Sequence, residues 1–85
     1  NNQNKTIVGF ALESNNILEY ATKKLKEKKL DMIVANGTET ISSEKSNPYL
    51  IFSNGKKKEL KSATKQYIAK EIVNEIIKIE SYKAC

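Results

Sequence analysis

The feature that most constrains the fold is a helical hydrophobic pattern that lies between two short apolar segments. Residues 6–12 are β-branched or apolar on both faces, as in a strand that is covered on both sides in a parallel sheet. Residues 17–30 repeat their apolar positions at helical spacing, and residues 31–35 form the second apolar segment. Strand, helix and strand with such short connections predict a right-handed parallel crossover.

The second half of the chain predicts an antiparallel hairpin and a final helix. Residues 49–52 and 58–60 flank an Asn54-Gly55 turn, and Ser62 is the predicted N-cap of the helix that follows. The predicted buried stripe of that helix consists of Ile68, Ile72, Val73, Ile76 and Ile79. Its predicted solvent side carries Lys65, Lys70, Glu71, Glu75 and Lys78. We therefore expect an α/β fold, in which a Rossmann-like parallel strand–helix–strand unit is followed by an antiparallel edge hairpin and a C-terminal helix, within a larger three-layer domain.

The length of 85 residues allows one domain, or a fragment of one, over residues 1–85. A chain this short buries only roughly 60 to 65% of the surface that its unfolded form exposes, so its stability is expected to be marginal. Residues 38–47 are rich in Ser, Thr, Glu and Lys, which predicts a mobile surface loop. No apolar run approaches the roughly 20 residues that cross a bilayer. With one cysteine and no histidine, the sequence excludes an internal disulfide and a His/Cys metal cluster, and it fits a reducing cytoplasm.

The net charge of +5 comes from 15 lysines without any arginine. Lysine point charges can bind phosphate, but the same composition is also typical of an AT-rich genome with solvated surface charges. A small basic nucleic-acid-binding module is an alternative function, which the lack of arginine and of interleaved aromatic residues makes less favourable. The sequence has no glycine-rich phosphate loop, no serine or cysteine beside a histidine, and no carboxylate pair at a catalytic spacing, so most enzyme classes are unsupported.

Two lysines of the first predicted helix stand apart from the others. At 100° per residue, Lys24 and Lys28 lie on or beside the apolar face, whereas Lys23, Lys26 and Lys29 point elsewhere. Two interpretations remain open, namely lysine stems that run along apolar surface and a phosphate site beside the sheet. Open α/β sheets bind ligands beyond the carboxyl ends of their strands, and both lysines are in the second half of the helix, away from the tip of the first strand.

Three motifs resemble a known family when they are taken in order. They are Gly9-Phe10-Ala11-Leu12-Glu13-Ser14, Lys24-x-x-x-Lys28 and Leu30-Asp31-Met32-Ile33-Val34-Ala35-Asn36. This order resembles the carboxyl-terminal part of bacterial phosphopantothenoylcysteine synthetase, the phosphopantothenate–cysteine ligase of the DNA/pantothenate metabolism flavoprotein family, over residues 7–77. The resemblance implies ligation of cysteine to 4′-phosphopantothenate with CTP and Mg²⁺, through an acyl-cytidylate, in coenzyme A biosynthesis. In that family an FMN-dependent decarboxylase is often fused to the ligase, and FMN would belong to that other domain.

The resemblance also implies roles for individual residues. Lys24 would be the catalytic lysine that binds the triphosphate, and Lys28 would be a second phosphate ligand. Ala11, Glu13 and Asn36 would lie near the nucleotide. No residue is assigned to a metal, because Mg²⁺ would be held mainly by the nucleotide phosphates. The amino-terminal half of the synthetase fold is missing from these residues, so the isolated chain is expected to be inactive.

The pattern also suggests a partner. Residues 49–60 are predicted to pair with a second copy of the chain, because in so small a fragment residues 49–52 would be poorly covered. A homodimer would result, and a non-catalytic dimerisation domain is a further alternative to the ligase. A membrane is not an expected partner, and nucleic acid is a weaker candidate than a nucleotide.

Overall fold

A computed structural model of the protein describes residues 5–37, 45–61 and 63–84. Eight elements follow one another in these ranges. They are β1 (Val8–Glu13), α1 (Ile17–Glu27), β2 (Met32–Gly37), β3 (Lys45–Ser46), β4 (Tyr49–Phe52), β5 (Lys57–Glu59), β6 (Ala63–Thr64) and α2 (Lys65–Ala84).

Four of the strands form one mixed sheet in the order β1-β2-β4-β5. β1 and β2 are parallel, with a register that runs from Val8 opposite Met32 to Glu13 opposite Gly37. β4 is antiparallel to β2, and β5 is antiparallel to β4 at the sheet edge. The α/β fold, its parallel crossover and its edge hairpin, all predicted from the sequence, are therefore confirmed.

A second, two-stranded sheet pairs β3 with β6 and was not predicted. β3 lies within residues 38–47, which were predicted to be a loop, so residues 45–46 of that prediction are wrong. The remainder of the predicted loop, at residues 38–44, lies outside the described residues.

The sheet is covered on both faces, which gives three layers. α1 packs on one face, where the buried residues are Ala11, Ala21, Leu25, Leu30, Ile33, Ala35 and Ile51. α2 packs on the other face, where the buried residues are Met32, Val34, Leu50, Leu60 and Ile68. The expectation that residues 49–52 are poorly covered is wrong, because Leu50 and Ile51 are 0% and 1% exposed between β2 and β5.

The carboxyl end of α1 explains why this helix stops at Glu27, three residues earlier than predicted. Lys29 adopts a left-handed conformation with φ of 54°. The Leu30 N–H donates to the Leu25 carbonyl at 2.9 Å, and the Lys29 N–H donates to the Lys26 carbonyl at 3.2 Å. These two bonds form a Schellman motif, which satisfies the last carbonyls of the helix while Leu25 and Leu30 share one core.

The start of α2 is fixed by Thr64. Its Oγ1 accepts a hydrogen bond from the backbone N–H of Tyr67 at 3.2 Å, as an N-cap side chain does. The predicted N-cap, Ser62, lies outside the described residues.

Two residues of α2 face differently from the prediction. Val73 was placed in the buried stripe but is 52% exposed, whereas Glu75 was placed in solvent but is only 8% exposed. β5, at the sheet edge, supplies Lys58, whose Nζ lies 3.1 Å from the Glu75 carboxylate and 3.3 Å from that of Glu71. The hydrogen bond from Lys58 to Glu75 is the main cause that raises the pKa of Lys58 above its usual value.

The last turn of α2 is tied to the amino ends of β1 and β2. Lys83 Nζ lies 3.0 Å from Asp31 Oδ2, and that oxygen also accepts a hydrogen bond from the Ile7 N–H at 2.8 Å. Lys83 Nζ donates to the Lys5 carbonyl as well. We refer to these contacts of Lys5, Ile7, Asp31 and Lys83 as the amino-end clasp.

Neither helix, within the described ranges, is long and apolar enough to cross a membrane.

Candidate functional site

The candidate site lies at the carboxyl ends of the two parallel strands. β1 ends at Glu13 and β2 at Gly37, and these residues are opposite each other in the register. Because side chains alternate along a strand, Glu13 shares the face of Ala11, which is the face that α1 covers. A carboxylate is thus placed at the strand tip, beneath the side of the helix.

Small residues in β1 let α1 lie close to this strand. Ala11 is only 5% exposed, and a methyl group added at Gly9 would lie 2.5 Å from Leu30 Cδ1. Ala21 is completely buried on the facing side of α1. The close approach brings lysines on the flank of α1 within reach of β1.

Lys24 is the lysine that reaches the strand tip. Its Nζ lies 2.7 Å from Glu13 Oε2, which is the distance of a charge-assisted hydrogen bond. The Lys24 side chain is 43% exposed and that of Glu13 is 15% exposed. The expectation that Lys24 sits away from the tip of the first strand is therefore wrong for its ammonium group, because the stem extends back along the helix.

The structure does not bring Lys28 or Asn36 into this pair. Lys28 is the exposed C-cap residue of α1, about one turn further from the strand tips. Asn36 is opposite Leu12 in the register, and by alternation it points to the α2 face, away from Glu13. Their nucleotide-binding roles, like those of Ala11, Glu13 and Lys24, remain predictions.

A shallow cleft of about 440 Å³ lies at the same end of the sheet. It is lined by Asn15, Asn16, Ile17, Leu18, Glu19 and Tyr49. No side chain caps the amino end of α1, where Asn16 has a left-handed φ of 48°. The sequence analysis did not predict that Tyr49 lines a cleft at this end of the sheet. Its position at the start of β4, which lies opposite Ala35 near the end of β2, is the signal that could have indicated it.

Metal binding by side chains finds no support in the described residues. No three of their His, Cys, Asp or Glu side chains are grouped to hold a metal ion. Glu13, the carboxylate at the tip of β1, is already engaged by Lys24. The described residues at this end of the sheet thus do not by themselves hold a Mg²⁺ ion.

The fold places the chain in the class of open α/β sheet domains, which bind ligands beyond the carboxyl ends of their parallel strands. The chain belongs to the family described as DNA/pantothenate metabolism flavoprotein C-terminal domain, which matches residues 1–79. The family resemblance that the motifs of β1, α1 and β2 indicated is confirmed.

Similar proteins are found by sequence and by structure. The chain is 42% identical over 73 residues to the coenzyme A biosynthesis bifunctional protein CoaBC of Haemophilus influenzae, which covers 82% of this chain and 18% of that protein. It is 38% identical over 74 residues to the CoaBC protein of Bacillus subtilis, again over 82% of this chain and 18% of the relative. The chain thus spans about a fifth of the length of these curated relatives.

Among solved structures, the C-terminal domain of a CoaBC protein matches with a TM-score of 0.73 at 36% identity, over 89% of this chain and 36% of that chain. The DNA/pantothenate metabolism flavoprotein from Streptococcus pneumoniae matches with a TM-score of 0.67 at 24% identity, over 91% of this chain and 33% of that chain. The second match supports the fold alone. Both matches confirm the mixed α/β architecture.

Proposed function

We propose that this chain is the carboxyl-terminal part of a phosphopantothenoylcysteine synthetase that acts in coenzyme A biosynthesis. In the proposed reaction, the carboxylate of 4′-phosphopantothenate attacks the α-phosphate of CTP, which releases pyrophosphate and forms an acyl-cytidylate. The amino group of cysteine then attacks the acyl carbon and displaces CMP. The observation that carries the proposal is the Lys24–Glu13 pair at the strand tips of a chain that belongs to this family.

Lys24 is the proposed ligand of the triphosphate. An ammonium group has three donors, and Glu13 engages one of them, so others are available to phosphate oxygens. At about 4 Å from a phosphate oxygen, one such charge contributes on the order of 4 kcal/mol at an effective dielectric constant near 20. This attraction stabilises the negative charge that develops at the α-phosphate during transfer.

Glu13 is proposed to position that lysine rather than to react. Its carboxylate holds the ammonium group at the end of β1, so the long stem does not need to be ordered when the nucleotide binds. The backbone N–H groups at the amino end of α1 offer a second attraction for phosphate, because the helix dipole favours negative charge there. In this arrangement Lys28 serves a phosphate that extends along the flank of α1, and Asn36 lies near the nucleotide at the end of β2, with its side chain on the α2 face.

The remaining ligands are assigned by the same reasoning. Mg²⁺ would neutralise charge on the triphosphate and would be held mainly by phosphate oxygens. FMN has no assigned residue in this chain. We place the reaction in the cytoplasm, because a sequence with a single cysteine and no internal disulfide fits a reducing compartment.

The rest of a synthetase domain is the proposed partner of the outer side of β1. Within the described residues, β1 is an edge strand of the sheet. In β1, Phe10 and Leu12 are 70% and 50% exposed, and in α2, Val73 and Ile77 are 52% and 59% exposed. Apolar side chains this exposed at a free sheet edge indicate a surface that another part of the domain covers. The chain alone is therefore expected to be inactive.

A homodimer through residues 49–60 stays a prediction. β4 is an interior strand, so within this range only the outer edge of β5 can add a strand from a second copy. A single molar mass equal to that of the monomer at high protein concentration in light scattering would argue against it.

The decisive experiment compares Lys24→Gln with Lys23→Gln in the complete synthetase that contains this chain. Both variants remove one charge from α1, but Lys23 is exposed and has no ion pair among the described residues. We expect Lys24→Gln to lower the rate of pyrophosphate release by about 10²- to 10³-fold, as for loss of a positioned oxyanion donor. Lys23→Gln should change it little.

The stability of both variants must be measured beside their activity. The Glu13 side chain is 15% exposed and loses its ammonium partner, so Lys24→Gln should lower the free energy of unfolding by about 1 kcal/mol while the variant remains folded. Equal activities of the two variants would reduce Lys24 to a surface charge. An unfolded Lys24 variant would show that the pair with Glu13 is structural.

A further inference from the structure

A second depression lies at the opposite end of the sheet from Glu13. It has a volume of about 340 Å³ and lies between the carboxyl end of α1 and the turn that joins β4 to β5. Phe52 is opposite Met32, the first residue of β2, so this turn is at the amino end of the parallel strands. None of the residues that line this depression has a role in the proposed ligation.

The charged residues that line the depression are all lysines. Lys26, Lys29 and Lys57 line it, and no carboxylate is among its lining residues. Lys24, Lys58, Lys78 and Lys83 are paired with carboxylates, whereas these three lysines have no ion pair in the part of the chain that the structure describes. The depression is therefore a concentration of uncompensated positive charge.

The floor of the depression is apolar. Leu25, Leu30 and Ile51 are buried beneath it, and Thr22 and Ser53 add hydroxyl groups at the wall. The Schellman motif at the end of α1 fixes the backbone on either side of Lys29, so the position of this lysine at the rim is set by the fold. Cations around an apolar floor suit a ligand that has an anionic end and an apolar body.

We infer that this depression binds an organic phosphate, meaning a phosphate monoester on an apolar or aromatic body. The three ammonium groups bind the phosphate oxygens, and the floor of leucine and isoleucine takes the body. The volume is sufficient for a body of one or two rings, at the lower end of the range of small-molecule sites. The site is separate from the Lys24–Glu13 pair, so it does not depend on the proposed ligase activity.

The test is a titration of the ¹⁵N-labelled chain with 1-naphthyl phosphate, followed by NMR. Inorganic phosphate and 1-naphthol are the two partial probes. We expect 1-naphthyl phosphate to shift the amide signals of Lys29, Ser53 and Gly55 in a saturable way, and to bind about tenfold or more tightly than either partial probe. Lys24→Gln should leave these shifts unchanged, which separates this site from the proposed ligase site.

The charge is tested with two triple variants that each lower the net charge by three. Lys26→Gln/Lys29→Gln/Lys57→Gln should weaken binding about tenfold or more. The control, Lys23→Gln/Lys65→Gln/Lys70→Gln, removes three exposed lysines elsewhere and should stay within about twofold of the unmodified chain. If the first triple variant does not fold, Lys57→Gln alone, at an exposed position of β5, should still weaken binding by about threefold.

Three results would overturn the inference. Equal losses in both triple variants would mean that only the overall charge attracts the probe. Binding of 1-naphthol as tight as that of 1-naphthyl phosphate would mean that the lysines take no part. A single-stranded oligonucleotide that displaces 1-naphthyl phosphate and shifts the same amides at lower concentration would assign the lysines to nucleic acid instead.

Discussion

The ion cluster of Lys58 and Glu75 makes a quantitative prediction about stability. The Glu75 side chain is 11% exposed, with Lys58 Nζ at 3.1 Å and Lys78 Nζ at 3.6 Å. Lys58→Met removes the nearer cation and leaves the carboxylate with Lys78, whose side chain is 67% exposed. A charge-assisted hydrogen bond contributes about 1.5 to 3 kcal/mol, and the 42% exposure of Lys58 reduces this through solvent screening. We expect Lys58→Met to lower the free energy of unfolding by about 1 to 2 kcal/mol.

The double variant separates the interaction energy of the Lys58–Glu75 pair from the free-energy cost of leaving one buried charge without a partner. Replacing both members of a buried pair by apolar residues of similar size is often nearly neutral, so Lys58→Met/Glu75→Met should be more stable than the sum of its single variants predicts. A coupling energy of about 1 kcal/mol is expected, which for a domain of this size corresponds to about 4 to 8 °C in the thermal midpoint. Lys57→Met is the matched control, because Lys57 is exposed on the other face of β5.

Urea unfolding followed by circular dichroism measures the free energy of unfolding of the unmodified chain, the two single variants, the double variant and the control. The reasoning would be refuted if the effects of the two single substitutions simply added, with a coupling below about 0.3 kcal/mol. It would also be refuted if Lys57→Met cost as much as Lys58→Met.

Two further predictions concern pH and the end of α1. The hydrogen bond to Glu75 raises the pKa of Lys58 above 10.5, so the stabilisation that protonated Lys58 provides is present below pH 10.5 and is lost as the pH rises through the raised pKa. Above pH 10.5 the free energy of unfolding should therefore fall more steeply in the unmodified chain than in Lys58→Met. Parallel pH profiles of the two proteins in this range would contradict the prediction. Lys29→Gly should raise the free energy of unfolding by about 0.5 to 1 kcal/mol, because glycine adopts the left-handed conformation at a helix end without steric cost; a loss of stability in the same urea assay would show that the Lys29 side chain itself stabilises the fold.

The crossover was predictable because its signals are local. Each of β1, α1 and β2 has a continuous hydrophobic pattern with turn residues between, and the motifs that indicate the family fall within them. β3 and β6 contain two residues each, which is too short for any pattern, and they pair across a long sequence separation. Short strands of this kind are determined by tertiary packing.

The errors in α2 have a different cause. Helical periodicity defines an apolar stripe, but it does not define which edge of that stripe meets the sheet. Val73 lies at the edge that the described residues leave exposed, and Glu75 is buried because β5 supplies Lys58. Similarly, spacing placed Lys24 on the flank of α1, but the contact with Glu13 depends on a long, flexible stem and on close packing at Ala11. Contacts between distant residues decide these cases.

The amino-end clasp bears on the order in which the molecule assembles. Lys83 is 52 residues from Asp31 and 78 residues from Lys5, so these contacts close long loops, while the contacts among β1, α1 and β2 join residues that are much closer in sequence. During synthesis the crossover can form as soon as β2 is available, but its amino end is secured only after the last turn of α2 has been made. In the folded protein, fraying of the last turn of α2 would break the contacts of Lys83 with the amino ends of β1 and β2. The Lys24–Glu13 pair lies at the far end of both strands, so it does not depend on the contacts of the amino-end clasp.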